Sequence, residues 1–216
     1  RTSFCGGAVG VWAVVKADAY GHGLLRVASA LSDLADGFAL LDVEAAVALR
    51  EAGFRQPVLL LEGFFDSRDL AACIQYELIP VVHSIEQIRM MGAACLPRPL
   101  PVYLKLNTGM NRLGLTMSEW ESVREAVAKA PFLGQVTLMT HFAEADGERG
   151  IADQLACFER LSAGWKGPVS MANSAALLRY PETTVRDWVR PGIMLYGGSP
   201  FADIAATVLD LKPVMT

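Results

Sequence analysis

Between residues 11 and 195, short apolar runs take turns with longer segments in which apolar residues recur every three or four positions. The runs at 11–15, 37–41, 57–61, 78–83, 101–106, 135–140, 168–171 and 188–195 carry few charges and predict strands buried on both faces. The segments between them predict helices at 22–34, 43–52, 67–76, 84–95, 118–130, 151–163 and 174–179, several of them closed by a glycine or proline. Ser84 is a capping serine without a glutamate three residues on, whereas Ser118 has Glu121 in the capping-box position. Strands alternating with helices pair in parallel through right-handed crossovers. Eight such units close most simply as an α/β (β/α)8 barrel of the TIM type, with a doubly wound open sheet as the alternative. The seam between the last strand and the first is the weak point of this pattern. No clear helix follows Leu195 or precedes Val11, and only 202–209 offers a short one.

Composition narrows the ligand more than the fold. A 216-residue chain with 52% hydrophobic and 19% charged residues supports one well-buried core. A net charge of −4 without any Lys/Arg cluster leaves no electrostatic footprint for nucleic acid or an anionic membrane, so the expected partner is a small molecule. Cys5, Cys73, Cys95 and Cys157 show no CxxC spacing and predict neither a metal site nor a disulfide framework; they read as reduced, cytoplasmic thiols. The apolar run before Lys16 is too short to span a bilayer and shows no cleavage pattern. Residues 1–10 read as an irregular lead-in, 11–198 as the barrel, and 199–216 as the start of a further connection.

In such a barrel the working residues stand at the carboxyl ends of the strands. The first strand ends on Lys16, followed by Asp18, Tyr20 and a Gly21-His22-Gly23 turn. Low-dielectric surroundings there disfavour the ammonium and make an amine nucleophile; the alternative is a lysine that snorkels to solvent. The fifth strand leads into Lys105 and Arg112 across a glycine-bearing loop. Taken alone, Arg112 is an ordinary surface charge, but Lys105 alternates with Tyr103 on an apolar strand and points into the barrel's mouth or interior, where an unpaired ammonium is costly. The sixth strand ends at His141, either a structural histidine or a catalyst. Asn173 and Ser174 open a helix, a position that suits phosphate as well as ordinary capping. After the eighth strand, Gly192 lets backbone amides approach a ligand, in a loop where barrels frequently bind phosphate.

The run AVVKADAYGHG at 13–23 resembles the cofactor-lysine motif of alanine racemases, pyridoxal 5'-phosphate (PLP) enzymes built on a TIM-type barrel. The resemblance continues in order through KLNTGMNRLG, THFAEAD, NSAA and VRPGIMLYG, and so covers nearly the whole chain. It implies PLP-dependent interconversion of L-alanine and D-alanine, for the cell wall or for alanine catabolism, in a cytoplasmic homodimer. By the same resemblance Lys16 holds PLP through its amine and then serves as one of two bases, on the D-alanine face. Tyr20, Ser174 and the backbone of Gly192 and Ile193 hold the phosphate, with Asn173 and Tyr196 also at the cofactor. Arg190 faces the pyridine nitrogen, Arg112 contacts the phenolic oxygen, and His141 hydrogen-bonds towards Arg190. Lys105 corresponds to a lysine the family often carbamylates, which turns the cation into an anion that orients Arg112. One reactive lysine, a phosphate nest and nearby arginines meet the needs of PLP. An arginine cannot accept a proton from the ring nitrogen, so the ring is a weaker electron sink, which favours racemisation over transamination.

Alanine racemases carry, after the barrel, a β-rich second domain whose tyrosine supplies the opposite base to the partner subunit. The chain reaches Thr216 where that domain is expected to begin, and residues 1–10 do not resemble the strand and helix that precede the lysine strand. Both ends are therefore expected to be cut and the second base to be missing. The competing class is a non-catalytic, single-domain PLP barrel of the PLP-homeostasis kind; a third is a phosphate-binding barrel without PLP.

Overall fold

The computed structural model describes residues 9–215. Eight parallel strands close a barrel in chain order: β1 Gly10–Val14, β2 Gly37–Leu40, β3 Val58–Leu60, β4 Ile79–Val82, β5 Leu100–Lys105, β6 Leu133–Met139, β7 Val169–Ser170 and β8 Trp188–Val189. Because β1 pairs with both β2 and β8, the open-sheet alternative is excluded. The helices are α1 Leu24–Leu31, α2 Val43–Glu51, α3 Ser67–Gln75, α4 Ile85–Ala93, α5 Met117–Lys129, α6 Ala152–Leu161, α7 Ser174–Arg179 and α8 Pro181–Thr184. Most of the lead-in expected at 1–10 lies outside the described residues; Gly10 belongs to β1, paired with Trp188.

Side chains alternate across each strand, so every second residue faces the barrel interior. Trp12, Val14, Ala39, Leu59, Val81, Tyr103 and Met139 fill that interior, while Ala13, Phe38, Leu40, Leu60, Val82 and Leu104 pack outward beneath the helices. Trp12 stacks on Trp188 with ring centroids 4.7 Å apart. This pair needs glycine beside it: a Cβ on Gly37 would stand 2.3 Å from Trp12, and one on Gly10 would stand 2.4 Å from Trp188. Above this layer, two residues further along their strands, come Lys16 after Val14, Lys105 after Tyr103, His141 after Met139 and Arg190 after Trp188. Strand register alone thus brings three cations and an imidazole to one end of the barrel.

The structure corrects several expectations. The capping box of α5 is formed by Thr116 and Glu119, not Ser118 and Glu121; Thr116 N–H donates to the Glu119 carboxylate at 2.8 Å, which places Ser118 inside the first turn. The eighth strand, expected to run to 195, stops at Val189. Pro191 has no N–H for the ladder, and Ile193–Tyr196 coils into a 3-10 helix. The short helix expected at 202–209 is a 3-10 helix, Ala206–Leu209, and α8 was not anticipated. The first predicted helix starts only at Leu24, because Gly23 takes φ 93°; before it Ala17, Asp18, Ala19 and Tyr20 form a left-handed turn with φ of 53°, 51°, 54° and 55°. That conformation costs roughly 1–2 kcal/mol for each non-glycine residue. The Asp18 carboxylate helps to offset it by accepting the Leu24 N–H at 2.7 Å.

Among the described residues, no helix is long and apolar enough to cross a membrane, and no group of His, Cys, Asp and Glu is placed to hold a metal ion. Cys73, Cys95 and Cys157 are free thiols; Cys5 lies outside the described residues.

Candidate active site

The strand ends open onto a cavity of about 460 Å³. Lys16, Tyr20, Lys105, Arg112, His141, Asn173, Ser174, Arg190, Gly192 and Ile193 all line it. Tyr196 does not. Its ring is buried behind Tyr20, with centroids 4.7 Å apart, and its hydroxyl donates to the Val14 carbonyl at 2.9 Å. The structure thus places it behind the cavity lining and not in it.

One side of the cavity is a cradle of small and hydroxyl-bearing groups. A Cβ on Gly192 would lie 2.5 Å from the Tyr20 hydroxyl, so glycine is what lets that phenol reach the loop after β8. Gly192 N–H donates to Ser174 Oγ at 2.8 Å, leaving the serine's own proton available to a ligand. Burial raises the Tyr20 pKa, so its phenol stays a donor at neutral pH. Asn173 spends its side-chain oxygen on capping α7, through Ala176 N–H at 2.9 Å, and uses its amide nitrogen on the Phe142 carbonyl and on His141 Nε2.

The rest of the lining is cationic. Arg190, 4% exposed, donates from Nη1 to Ser170 Oγ at 2.5 Å and from Nη2 to the carbonyls of Thr140 and Met171 at 2.6 and 3.2 Å. No carboxylate of the described residues pairs with it, and burial lowers its pKa to about 10, which still leaves it charged at neutral pH. The expected His141–Arg190 hydrogen bond is absent, because backbone carbonyls and Ser170 already take the guanidinium while His141 turns to Asn173 at 3.3 Å. Lys105, 5% exposed, is lowered to about 8 by burial and then by Arg190 and Arg112, with Glu62 acting in the opposite sense. Four cations against two lining carboxylates, Glu62 and Asp146, make a cavity suited to an anion.

Burial, followed by the same cations, holds His141 down to about 3. Between pH 6.5 and 3 the unfolded chain therefore takes up a proton that the folded protein refuses, and stability falls as pH falls through that window. Urea titrations of wild type and His141→Gln across it are expected to converge towards acid; parallel curves would show that His141 does not stay neutral in the fold.

Two residues that support these groups were not legible in advance. Ser170 shares the interior layer with Met139 and Trp188. Gln154 ties the loop after β6 in place, accepting Ala143 N–H at 2.8 Å and donating to the His141 carbonyl at 3.1 Å and to Thr108 Oγ1 at 3.3 Å. A polar residue on the inward face of a strand or helix is the only signal that would have singled out either.

A family model described as alanine racemase, N-terminal domain, matches residues 2–200. An alanine racemase from Burkholderia mallei is 54% identical over 208 residues, covering 95% of this chain and 58% of that protein. The biosynthetic alanine racemase structure from Pseudomonas aeruginosa superposes with a TM-score of 0.89 at 40% identity, over 95% of this chain and 57% of that one. A Bartonella henselae alanine racemase carrying covalently bound pyridoxal phosphate superposes at 0.82 with 28% identity, over 95% and 60% of the two chains. The chain thus spans a little over half the length of the relatives it matches. With the cation-lined cavity and its hydroxyl cradle at the strand ends, these matches place the chain in the alanine racemase family, over that family's N-terminal barrel domain.

Proposed function

We propose that this chain is the PLP-binding barrel of an enzyme that interconverts L- and D-alanine, with Lys16 taking the cofactor covalently. The observation that carries the proposal is one half-buried amine, Lys16, on the same cavity wall as the Tyr20, Gly192 and Ser174 cradle, with Lys105, Arg112 and Arg190 beside it. Hydroxyl and amide donors beside clustered cations suit a phosphate and a phenolate on one small molecule. PLP, when bound, supplies an aldehyde for an amine and an electron-withdrawing ring that acidifies the substrate's Cα–H. Lys16 would hold that group through Nζ and would remove or return the Cα proton on one face. Arg190 would face the ring nitrogen as a donor that cannot take up a proton. Arg112 would face the phenolic oxygen. By the resemblance to alanine racemases, the base on the opposite face would be a tyrosine supplied from outside this barrel.

The test is spectral titration with PLP, borohydride fixation, and then α-proton exchange of each alanine enantiomer in deuterated water. Covalent capture with exchange confined to D-alanine is the expected outcome for the barrel alone. Capture without exchange of either enantiomer would favour a non-catalytic PLP barrel, and no capture at all would overturn the PLP reading.

Lys105 is proposed to be carbamylated: its neutral amine adds to carbon dioxide, forms an N–C bond and releases one proton, leaving an anion beside Arg112. Only the unprotonated amine reacts, so modification should rise through pH 8, about where the group titrates. Native mass spectrometry in bicarbonate is expected to show a gain of one carbon dioxide that is lost in Lys105→Ala; an unmodified lysine above that pH would count against it.

A further inference from the structure

β8 makes its last ladder pair at Val189, yet its neighbour β1 runs on to Val14. Extending the register of Gly10 on Trp188 by two residues at a time assigns Val14 N–H to the Pro191 carbonyl and the Val14 carbonyl to Ile193 N–H. The first of these bonds is present, at 3.0 Å. The second is not. Gly192 turns the chain with φ −123° and ψ −96°, Ile193 leaves the ladder for the cavity wall, and the Tyr196 hydroxyl donates to the Val14 carbonyl in its place. A buried carbonyl left unpaired at the seam would cost stability, so some donor has to replace Ile193. The ring of that donor then packs against Tyr20 and lies 4.8 Å from His22, at the turn that carries Lys16.

We infer that Tyr196 is a positioning residue, whose hydroxyl substitutes for the missing strand residue and so releases the Ile193 N–H to bind an anion in the cavity, while its ring backs the Tyr20 phenol. Barrel closure and anion binding are thereby joined in one side chain. That the anion is the phosphate of PLP rests on the function proposed above; the release of Ile193 rests on the hydrogen bonding alone.

The test compares wild type, Tyr196→Phe and Tyr196→Leu by site-resolved amide exchange and by titration with inorganic phosphate and with PLP. In Tyr196→Phe the Val14 carbonyl is expected to reclaim Ile193 N–H, so that this amide becomes more protected while phosphate and PLP bind about tenfold more weakly. Generic loosening would move protection the other way. Tyr196→Leu, which also removes the backing of Tyr20, is expected to lose further affinity; should it fail to fold, the phenylalanine variant decides. Unchanged or reduced protection at Ile193 in Tyr196→Phe would overturn the inference. Were the wild type to take up neither phosphate nor PLP, the proposed function would fall, and the Ile193 protection would still decide the role of Tyr196.

Discussion

Replacing Lys16 with alanine is expected to abolish covalent capture of PLP while leaving weak, non-covalent binding through the cradle. After borohydride treatment the wild type should carry one reduced adduct, mapped to the peptide containing residue 16, and Lys16→Ala should carry none. Lys16→Arg separates charge from nucleophilicity: it keeps a cation in the cavity, yet a guanidinium stays protonated and cannot attack the aldehyde. It should therefore retain more PLP than the alanine variant and still form no adduct. In an assembly that supplies the opposite base, losing Lys16 as a base alone should slow alanine exchange by about 10²- to 10⁴-fold.

The rival for this role is Lys105, the other amine on the cavity wall, which burial and its arginine neighbours bring down to about 8. The geometry favours Lys16. Lys105 sits at 5% exposure with Arg190 and Arg112 close by, whereas Lys16 is half-buried and follows Val14, which with the Tyr20 phenol stands against Gly192. An adduct found on Lys105 in the wild type, or persisting in Lys16→Ala, would sink the assignment.

The strand ends were legible because buried parallel strands are written as uninterrupted apolar runs, and the first polar residue after each run marks where the barrel opens. Lys16 stands in that position, and His141 comes one residue after it, behind Thr140. Arg190 was legible as a residue but not in its contacts, since the run 188–195 reads as continuous strand and only Pro191 betrays that it breaks. The same break explains Tyr196. Counted along a strand or within a cofactor motif it belongs at the ligand, yet the 3-10 turn swings it behind Tyr20. The left-handed turn at 17–20 had no local signal. Alanine and tyrosine rarely take positive φ, and the glycines that advertise it, Gly21 and Gly23, come afterwards. The capping box slid by two residues because Thr116-Met117-Ser118 offers two hydroxyls, each with a glutamate three residues on, and position alone does not choose between them.

Replacing Arg190 with leucine should disturb the site more broadly than any other single change away from Lys16. The guanidinium is held by Ser170 Oγ and by two carbonyls, and leucine leaves the carbonyls of Thr140 and Met171 without their donor. Each orphaned buried acceptor costs about 1–3 kcal/mol, partly offset because a desolvated cation is no longer buried. A net loss of roughly 2–3 kcal/mol in urea unfolding is the expected result. The electrostatic consequences are more diagnostic. Arg190 leads the cations that depress both His141 and Lys105, so both pKa values should climb, His141 from about 3 and Lys105 from about 8. A higher Lys105 pKa means less neutral amine at a given pH, and so less carbamylation. With only three histidines in the chain, His141 can be followed by the NMR shift of its ring protons against pH. Glutamine at the same position would keep hydrogen bonding without the charge, and should shift His141 as far as leucine does at a smaller cost in stability. If neither variant moves the His141 titration, the cations around the cavity are too well screened to tune one another, and the case for a concentrated positive field at the site fails.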